Sequence, residues 1–510
     1  MNLLSLPTEI LTSMCLYLGV ADSYALQSVN RLFLSLYQTS VELQYALECQ
    51  IACVDDNPRC HLPVATRLQI LRDRETAWRL LKPTFRESIL VPSTTSTHYD
   101  VTRSHYVLGL RSSSSIPFAD GIQSYSIQTP IENSWSVVYT ENLVDFGCCI
   151  DECDLVACLS SVVGHGSILE LYLHLFQHST GNPYPLATKP KILLCREKVP
   201  RLAHQIMATI EVVGETIVLA VEASASFRWM YVLNWKTGES RCDPISVSSP
   251  DLAVLSHDLF VNPNIDQNCL DIYYIPQSSH VEVARLIQRL RLPRLRQDMS
   301  VHSIRCRAAP NLTGDGKFPK YIPGSIPFMD KPENAIMLFR LDAGLGFDWS
   351  DLSMVVHRYS IMKLLPPPSD WSIISCQTHE WQEWGPSISS WIASDEILSG
   401  DITVSNGQRH VLHGLHAPRV VGETPAPLTI QNFNPYSVRR ALADAGMQVR
   451  TKRVLEHPIF CEPITCRLPY VEVISDEEYP YRRVSITDNA IIGRKYRHPG
   501  PLAIDVLHFG

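Results

Sequence analysis

Residues with chemical potential gather at four places in the chain. His410, His413 and His416 stand three apart, the outline of a metal triplet. A spacing of three alternates faces on a strand, so the imidazoles could converge only on a helix, and Gly414 and Pro418 work against one. Metal binding is not expected there. Cys148, Cys149, Cys153 and Cys158 form a second cluster, in which no two stand as C-x-x-C. Acidic residues and a strand-like run flank them, and the expectation is free thiols in or near the core rather than zinc. Arg285, Arg289, Arg291, Arg294 and Arg296 form a basic run interleaved with Leu286, Ile287, Leu290, Leu292 and Leu295. It would suit a reader of anionic patches or a partner helix. An arginine-rich excursion from a sheet is preferred, because a lone basic amphipathic stretch carries little information. Trp371, Trp381, Trp384 and Trp391 crowd one region, with Trp349 earlier. Such clusters serve as recognition hot spots, and they are also ordinary core in β-rich folds, which is the expectation adopted.

No phosphate loop, dinucleotide fingerprint, G-x-S-x-G elbow or H-E-x-x-H motif occurs, so no cofactor is implied and no catalytic residue is assigned. A net charge of −8 argues against nucleic acid or an anionic membrane as partner. An apolar fraction of 45% with 19% charged residues is that of a folded chain, and 510 residues are too many for one small core. The 35 prolines against 23 glycines suit short strands joined by fixed turns. The 15 cysteines show no framework spacing, Met1-Asn2-Leu3-Leu4 lacks a basic start, and Pro7 and Glu9 interrupt the first apolar run. Reduced thiols in a cytoplasmic and/or nuclear protein are expected. The sequon Asn311-Leu312-Thr313 is then a chance match.

The elements that must position these groups differ along the chain. Pro7 can open a helix because its missing N–H would be unpaired in a first turn; Ser5 can cap it, and Glu9 complements its dipole. Ile10, Leu11, Met14, Cys15 and Leu18 recur at helical spacing, and Gly19 stops the run. Asp22 or Ser23 can cap a second helix with the stripe Leu26, Val29 and Phe33, and Leu32 and Leu36 lead into a third. Forty residues cannot bury that much apolar surface among themselves, so some of it must face the rest of the chain or a partner.

The pattern Leu6-Pro7-x-Glu9-Ile10-Leu11, then Tyr17-Leu18, Asp22 and Val29-Asn30-Arg31-Leu32-Phe33 resembles an F-box. Ser23 stands where that family usually has Leu, and Asn30 where Ser or Cys is common; the spacing is kept. The resemblance implies a helical bundle that docks on a Skp1-like adaptor of a cullin-based ubiquitin ligase. By position, the contact residues it implies are Leu6, Pro7, Ile10, Leu11, Leu18, Val29 and Phe33. An amphipathic hairpin packed on its own domain is the plain alternative.

Residues 40–82 continue helical. Leu68, Leu71, Ala77, Trp78 and Leu81 should build the buried face of a helix starting at Pro63, with Arg67, Arg72, Asp73, Arg74, Glu75 and Arg79 on a solvated face. The block ending Arg74-Glu75-Thr76-Ala77-Trp78-Arg79-Leu80-Leu81 is similar to a set of fungal F-box proteins with a large C-terminal domain. After about residue 88 short β-prone runs replace the helical pattern, for example at 168–176, 206–213, 217–221, 229–235, 335–341 and 402–404. The unit Thr209 to Asp243, closing in Asn234-Trp235-Lys236-Thr237-Gly238, looks like the last hairpin of a propeller blade, with weaker echoes at Phe347-Asp348-Trp349 and Ser369-Asp370-Trp371. Candidate strands at His410–His416, Thr429–Asn432, Val471–Ile474 and Arg482–Ile486 follow, around a short helix at Ser437–Ala445, and the last segment should pair back beside residues 90–140.

The expected architecture is α+β and multidomain: an all-α F-box bundle at residues 1–45, linker helices at 46–87, and an all-β domain at 88–510, a β-propeller or else a pair of sandwiches. The expected function is a non-catalytic substrate-recognition adaptor of a Skp1–cullin–F-box ubiquitin ligase, with the β domain binding an unknown protein substrate. A Skp1-binding scaffold outside any ligase and a β-propeller enzyme are the alternatives.

Overall fold

The computed structural model describes residues 6–91, 95–111, 119–128, 135–164, 166–199, 206–276, 283–314, 318–346, 348–393, 404–413, 425–444, 446–496 and 502–510. Ser5, Ile402, Thr403, His416, Phe347 and Ala445, all used above, lie outside these.

Five helices open the described chain: α1 (Thr8–Cys15), α2 (Val20–Val29), α3 (Arg31–Thr39), α4 (Val41–Ala52) and α5 (Val64–Leu80). Pro7 and Pro63 stand immediately before α1 and α5, where a missing N–H costs nothing. Asn30 is extended, and its side chain accepts the Leu32 N–H at 2.8 Å, so it ends α2 and caps α3. Ser40 caps α4 in the same way through the Leu43 N–H. Two sequence expectations shift as a result. α1 stops at Cys15, and Gly19 is the residue that precedes α2, which moves the cap expected at Asp22 or Ser23. The stripe Leu26, Val29, Phe33 is cut at Asn30, because the local cap outcompetes a continuous helix.

From Phe85 onward the chain is mostly β. Thr95–Val101 opens a seven-stranded antiparallel meander that ends at Lys191–Lys198. Its 15-residue strand Trp135–Cys149 pairs with Ala119–Ser126 mainly by its first half and with Leu155–Gly164 by its second. Further sheets lie at 207–246, at 253–291 with Gln377–His379 added in parallel, at 300–393, and at 405–479. One more sheet uses both ends of the β-rich part. Phe85–Val91 pairs antiparallel with Leu502–His508, beside Ala490–Tyr496 and Arg483–Ile486. The final segment therefore pairs back one strand earlier than expected, and the pairing covers an edge that would otherwise be open.

Buried side chains join each sheet to the next. Leu171 and Leu173 of the meander pack with Ile217 and Leu219. Val218 and Val232 pack with Val254 and Phe260, and Leu270 and Ile287 with Phe339 and Met354. Leu338 and Val355 share a core with Val411 and Ile430, and these with Val484 and Ile491. Ile89 and Ile492 then meet Tyr106 and Leu108, back in the meander. The succession of shared cores returns to its start.

The hairpin unit has the expected turns: Gly214 and Gly238 take φ of +56° and +71°, where a side chain would be strained. Trp235 is buried and its indole N–H donates to the Gly214 carbonyl at 2.8 Å. The arginine run is not a helix: Arg285, Arg289 and Arg291 lie on the strand Arg285–Arg291, where Arg289 donates two hydrogen bonds to Asp271, at 2.7 and 3.1 Å, and Arg294 and Arg296 follow it, exposed. Trp371, Trp381, Trp384 and Trp391 are core, as expected; Trp349 lies about half exposed, stacked on His302.

Candidate functional site

The helical face divides the seven residues of the N-terminal pattern into three groups. Leu11 and Phe33 are 3% and 4% exposed and pack with Cys15, Leu36, Tyr37 and Leu43. Leu6 and Leu18 are half-buried against the same core. Pro7, Ile10 and Val29 are exposed, Ile10 at 48% and Val29 at 76%. Within the core the Tyr37 hydroxyl donates to Ser23 Oγ at 2.9 Å, which satisfies both buried hydroxyls and fixes α2 against α3. The pattern thus mixes residues that hold the helices together with residues that no part of the described chain covers.

Met14, Tyr17 and Leu32 belong with the open group and carried no assignment from sequence. Met14 lies one turn after Ile10 on α1, so helical spacing was the signal that placed it there. Nine of the 25 large apolar side chains left exposed among the described residues fall between Ile10 and Val41. Exposed apolar side chains that gather into a patch mark interaction sites.

Below this face α4 and α5 are fixed to the β body. Trp78 stacks on Phe509 with ring centroids 3.9 Å apart. Arg74, which the helix pattern placed on the solvated face, is instead 2% exposed. It bonds Asp330 at 3.2 Å and Glu75 at 2.8 Å, and Arg409 of the β body bonds Glu75 at 2.9 Å and approaches Asp330 at 3.6 Å. Burial would push the Glu75 carboxyl up, but Arg409 and Arg74 outweigh it and hold it below its ordinary range. Burial does push Asp330 up, to about 6, against the pull of the same two arginines. Asn434 also donates to the Ile51 carbonyl at 2.8 Å, and Asn57 to the Ile326 carbonyl at 2.7 Å. The helices are mounted on the body, and the exposed apolar side chains of α1, α2 and α3 are left uncovered by it.

The β body holds a cavity of about 480 Å³ whose walls include Asp100, Asp145, Asp151, Glu211, Asp251 and Arg307. Arg307 donates to Asp100 at 2.7 Å. Burial, with Asp100 and Asp251 nearby, pushes Asp145 up to about 8; burial likewise lifts Asp251 to about 7 and Asp151 to about 6. Carboxyls in this range exchange protons near neutral pH.

The other sequence candidates sort differently. His410 and His413 are buried on one strand, and burial pushes His410 down to about 4. His413 bonds the Tyr479 carbonyl at 2.9 Å. Of the clustered cysteines, Cys158 is sealed in the sheet core, while Cys149 and Cys153 come together with Glu152. No helix among the described residues is long and apolar enough to cross a membrane.

No protein-family model matches this chain, and no curated protein matches it. Among solved structures it is similar to an uncharacterized protein of Listeria monocytogenes EGD-e, at 9% identity over 60% of this chain and 82% of that one, with a TM-score of 0.24. It is also similar to the extracellular domains 1-2 of Drosophila Semaphorin 1b, at 8% identity over 83% and 88% of the two chains, with a TM-score of 0.32. Likenesses this distant carry no argument about function.

Proposed function

We propose that the chain is a non-catalytic adaptor of a ubiquitin ligase. Residues 1–45 act as an F-box that docks a Skp1-like partner, and through it a cullin. The β body is a propeller that presents a surface to the protein to be ubiquitinated. The observation that carries this reading is the exposed apolar side chains of the opening helices: Ile10 and Met14 on α1, Tyr17 in the turn after it, Val29 at the end of α2 and Leu32 on α3 stay exposed, while Leu11, Cys15, Phe33 and Leu36 are buried. An apolar centre of this kind is where a partner's binding energy concentrates. The propeller reading is supported by mainly antiparallel sheets whose shared cores return to their start and by one sheet built from both ends of the β-rich part. A sandwich pair would place one core between two faces instead.

The mechanism is proximity. Tethering a target on the β body raises its effective concentration at the ligase. That requires a rigid mount, and the contacts of Arg74, Glu75, Asp330 and Arg409 supply one. Free thiols at all fifteen cysteines are consistent with a cytoplasmic or nuclear setting.

The test is capture of a purified Skp1-like protein by the full chain and by the double variant Pro7→Ala/Ile10→Ala. A capture weakened by the variant supports the assignment; undiminished capture counts against it. Recovery of a cullin with the complex separates a ligase adaptor from a scaffold that only binds the Skp1-like partner.

One observation favours a second reading, an enzyme with acid–base chemistry in the β body. Asp145, Asp151 and Asp251 share a cavity and titrate near neutrality. That reading predicts turnover lost in Asp145→Asn and Asp251→Asn, whereas the adaptor reading predicts intact partner capture and no turnover to lose.

A further inference from the structure

We propose that Cys149, Glu152 and Cys153 form a binding site for a zinc-class divalent cation, set between two cavities of the β body. Their ligand atoms lie within 4.8 Å of one another, with Cys149 Sγ 3.8 Å from Glu152 Oε2. Two thiols and one carboxylate are a borderline-soft set that suits zinc over magnesium or calcium. All three residues are half-buried. They sit on and just before the short helix α6 (Ile150–Cys153), at the end of the strand Trp135–Cys149. This site stands independently of the adaptor reading.

The carboxylate is held in place by the backbone around it. The Gly314 N–H donates to Glu152 Oε1 at 2.7 Å, and the Gly214 N–H to Oε2 at 3.3 Å. Ligating carboxylates are ordinarily oriented by outer hydrogen bonds of this kind. The two glycines make the arrangement possible by close approach. A Cβ on Gly314 would stand 2.3 Å from Gly214 Cα, and one on Gly214 would stand 2.7 Å from Gly314 Cα. Cys153 Sγ lies 3.5 Å from the Gly214 carbonyl, so the same turn also touches a thiol.

Access comes from both sides. Cys149 and Glu152 line the cavity of about 480 Å³, and Glu152 and Cys153 line a second of about 630 Å³. Three protein ligands leave a tetrahedral ion one position short, open to water or to a ligand in a cavity. Thiols bind a metal as thiolates, so binding is an exchange in which one dication enters, two thiols become thiolates and two protons leave. Affinity must rise with pH.

The sequence marks the cysteine cluster but favours free thiols over zinc, because Cys149 and Cys153 are not C-x-x-C and the third ligand is a glutamate between them. The probe is cobalt(II), titrated into the full chain kept reduced by a phosphine and then challenged with zinc. The expected result is a thiolate-to-cobalt charge-transfer band that saturates at about one equivalent, strengthens with pH and is abolished by zinc. Cys149→Ser, Cys153→Ser and Glu152→Gln should each weaken binding by at least the roughly 10–100-fold that loss of an outer-shell partner costs. Cys376→Ser, at an exposed thiol elsewhere, should leave the band unchanged. No saturable band in the wild-type chain overturns the proposal without recourse to any variant. So does a band that survives in both Cys149→Ser and Cys153→Ser.

Discussion

At the scale of single residues, position on a helix decides whether an apolar side chain serves the fold or a partner. Leu11 and Ile10 are neighbours, yet one is buried and the other half open. Leu11→Ala should cost about 2–5 kcal/mol of stability, the ordinary range for a buried leucine. Ile10→Asp should stay within about 0.5 kcal/mol of the wild type while abolishing partner capture. Chemical denaturation of the two variants beside the binding assay checks both. The cavity gives a second prediction at this scale. A carboxyl raised in the folded state, as Asp145 is, contributes its stability below its ordinary pKa, and that contribution is lost as pH rises through about 8. Asp145→Asn should therefore match the wild type near pH 4 and exceed it near pH 9, by on the order of 1–3 kcal/mol, since the amide oxygen can still accept the Phe146 N–H. Unfolding curves at the two pH values give the sign. What the sequence could not disclose at this scale was long-range pairing. Arg74 has Arg72 and Asp73 beside it and reads as solvated, but its partner Asp330 lies 256 residues away.

Among the elements, α5 joins the two halves. Its apolar face was legible because Leu68, Leu71, Ala77, Trp78 and Leu81 keep a helical period, and all five are buried. The ion network on its flank was not, because charge patterning cannot distinguish a solvated face from one covered by a distant strand. Arg74→Ala leaves Asp330 and Glu75 short of a partner in a buried place and should cost about 3–5 kcal/mol. Arg74→Ala combined with Asp330→Ala should cost less than the sum of the two single changes, by about 0.5–3 kcal/mol. A double-mutant cycle measures that coupling, and simple additivity would show that the two side chains act independently. The helix Trp381–Ile388 escaped the sequence reading for a local reason: Gly385 and Pro386 lie within it. Its capping box at Glu380 and Glu383 was the available signal.

For the whole molecule, the ends of the β-rich part are held together. The strand rhythm after residue 88 was readable from β-branched runs and turn residues, and most candidate strands lie where expected. Sheet order was less readable, since pairing of Phe85–Val91 with Leu502–His508 joins segments about four hundred residues apart, and no local pattern encodes it. Removing residues 502–510 should open the edges of Phe85–Val91 and Ala490–Tyr496 and strip Phe509 from Trp78. The truncated chain should aggregate or unfold well below the melting temperature of the full chain. An adaptor function requires the exposed apolar side chains of the opening helices to be a docking surface for another protein. Hydrogen exchange on the full chain, with and without a purified Skp1-like protein, tests that most directly. An adaptor should show protection confined to α1, α2 and α3 around Ile10, Met14, Val29 and Leu32; no binding, or protection that falls on the β body and spares those helices, would rule that function out.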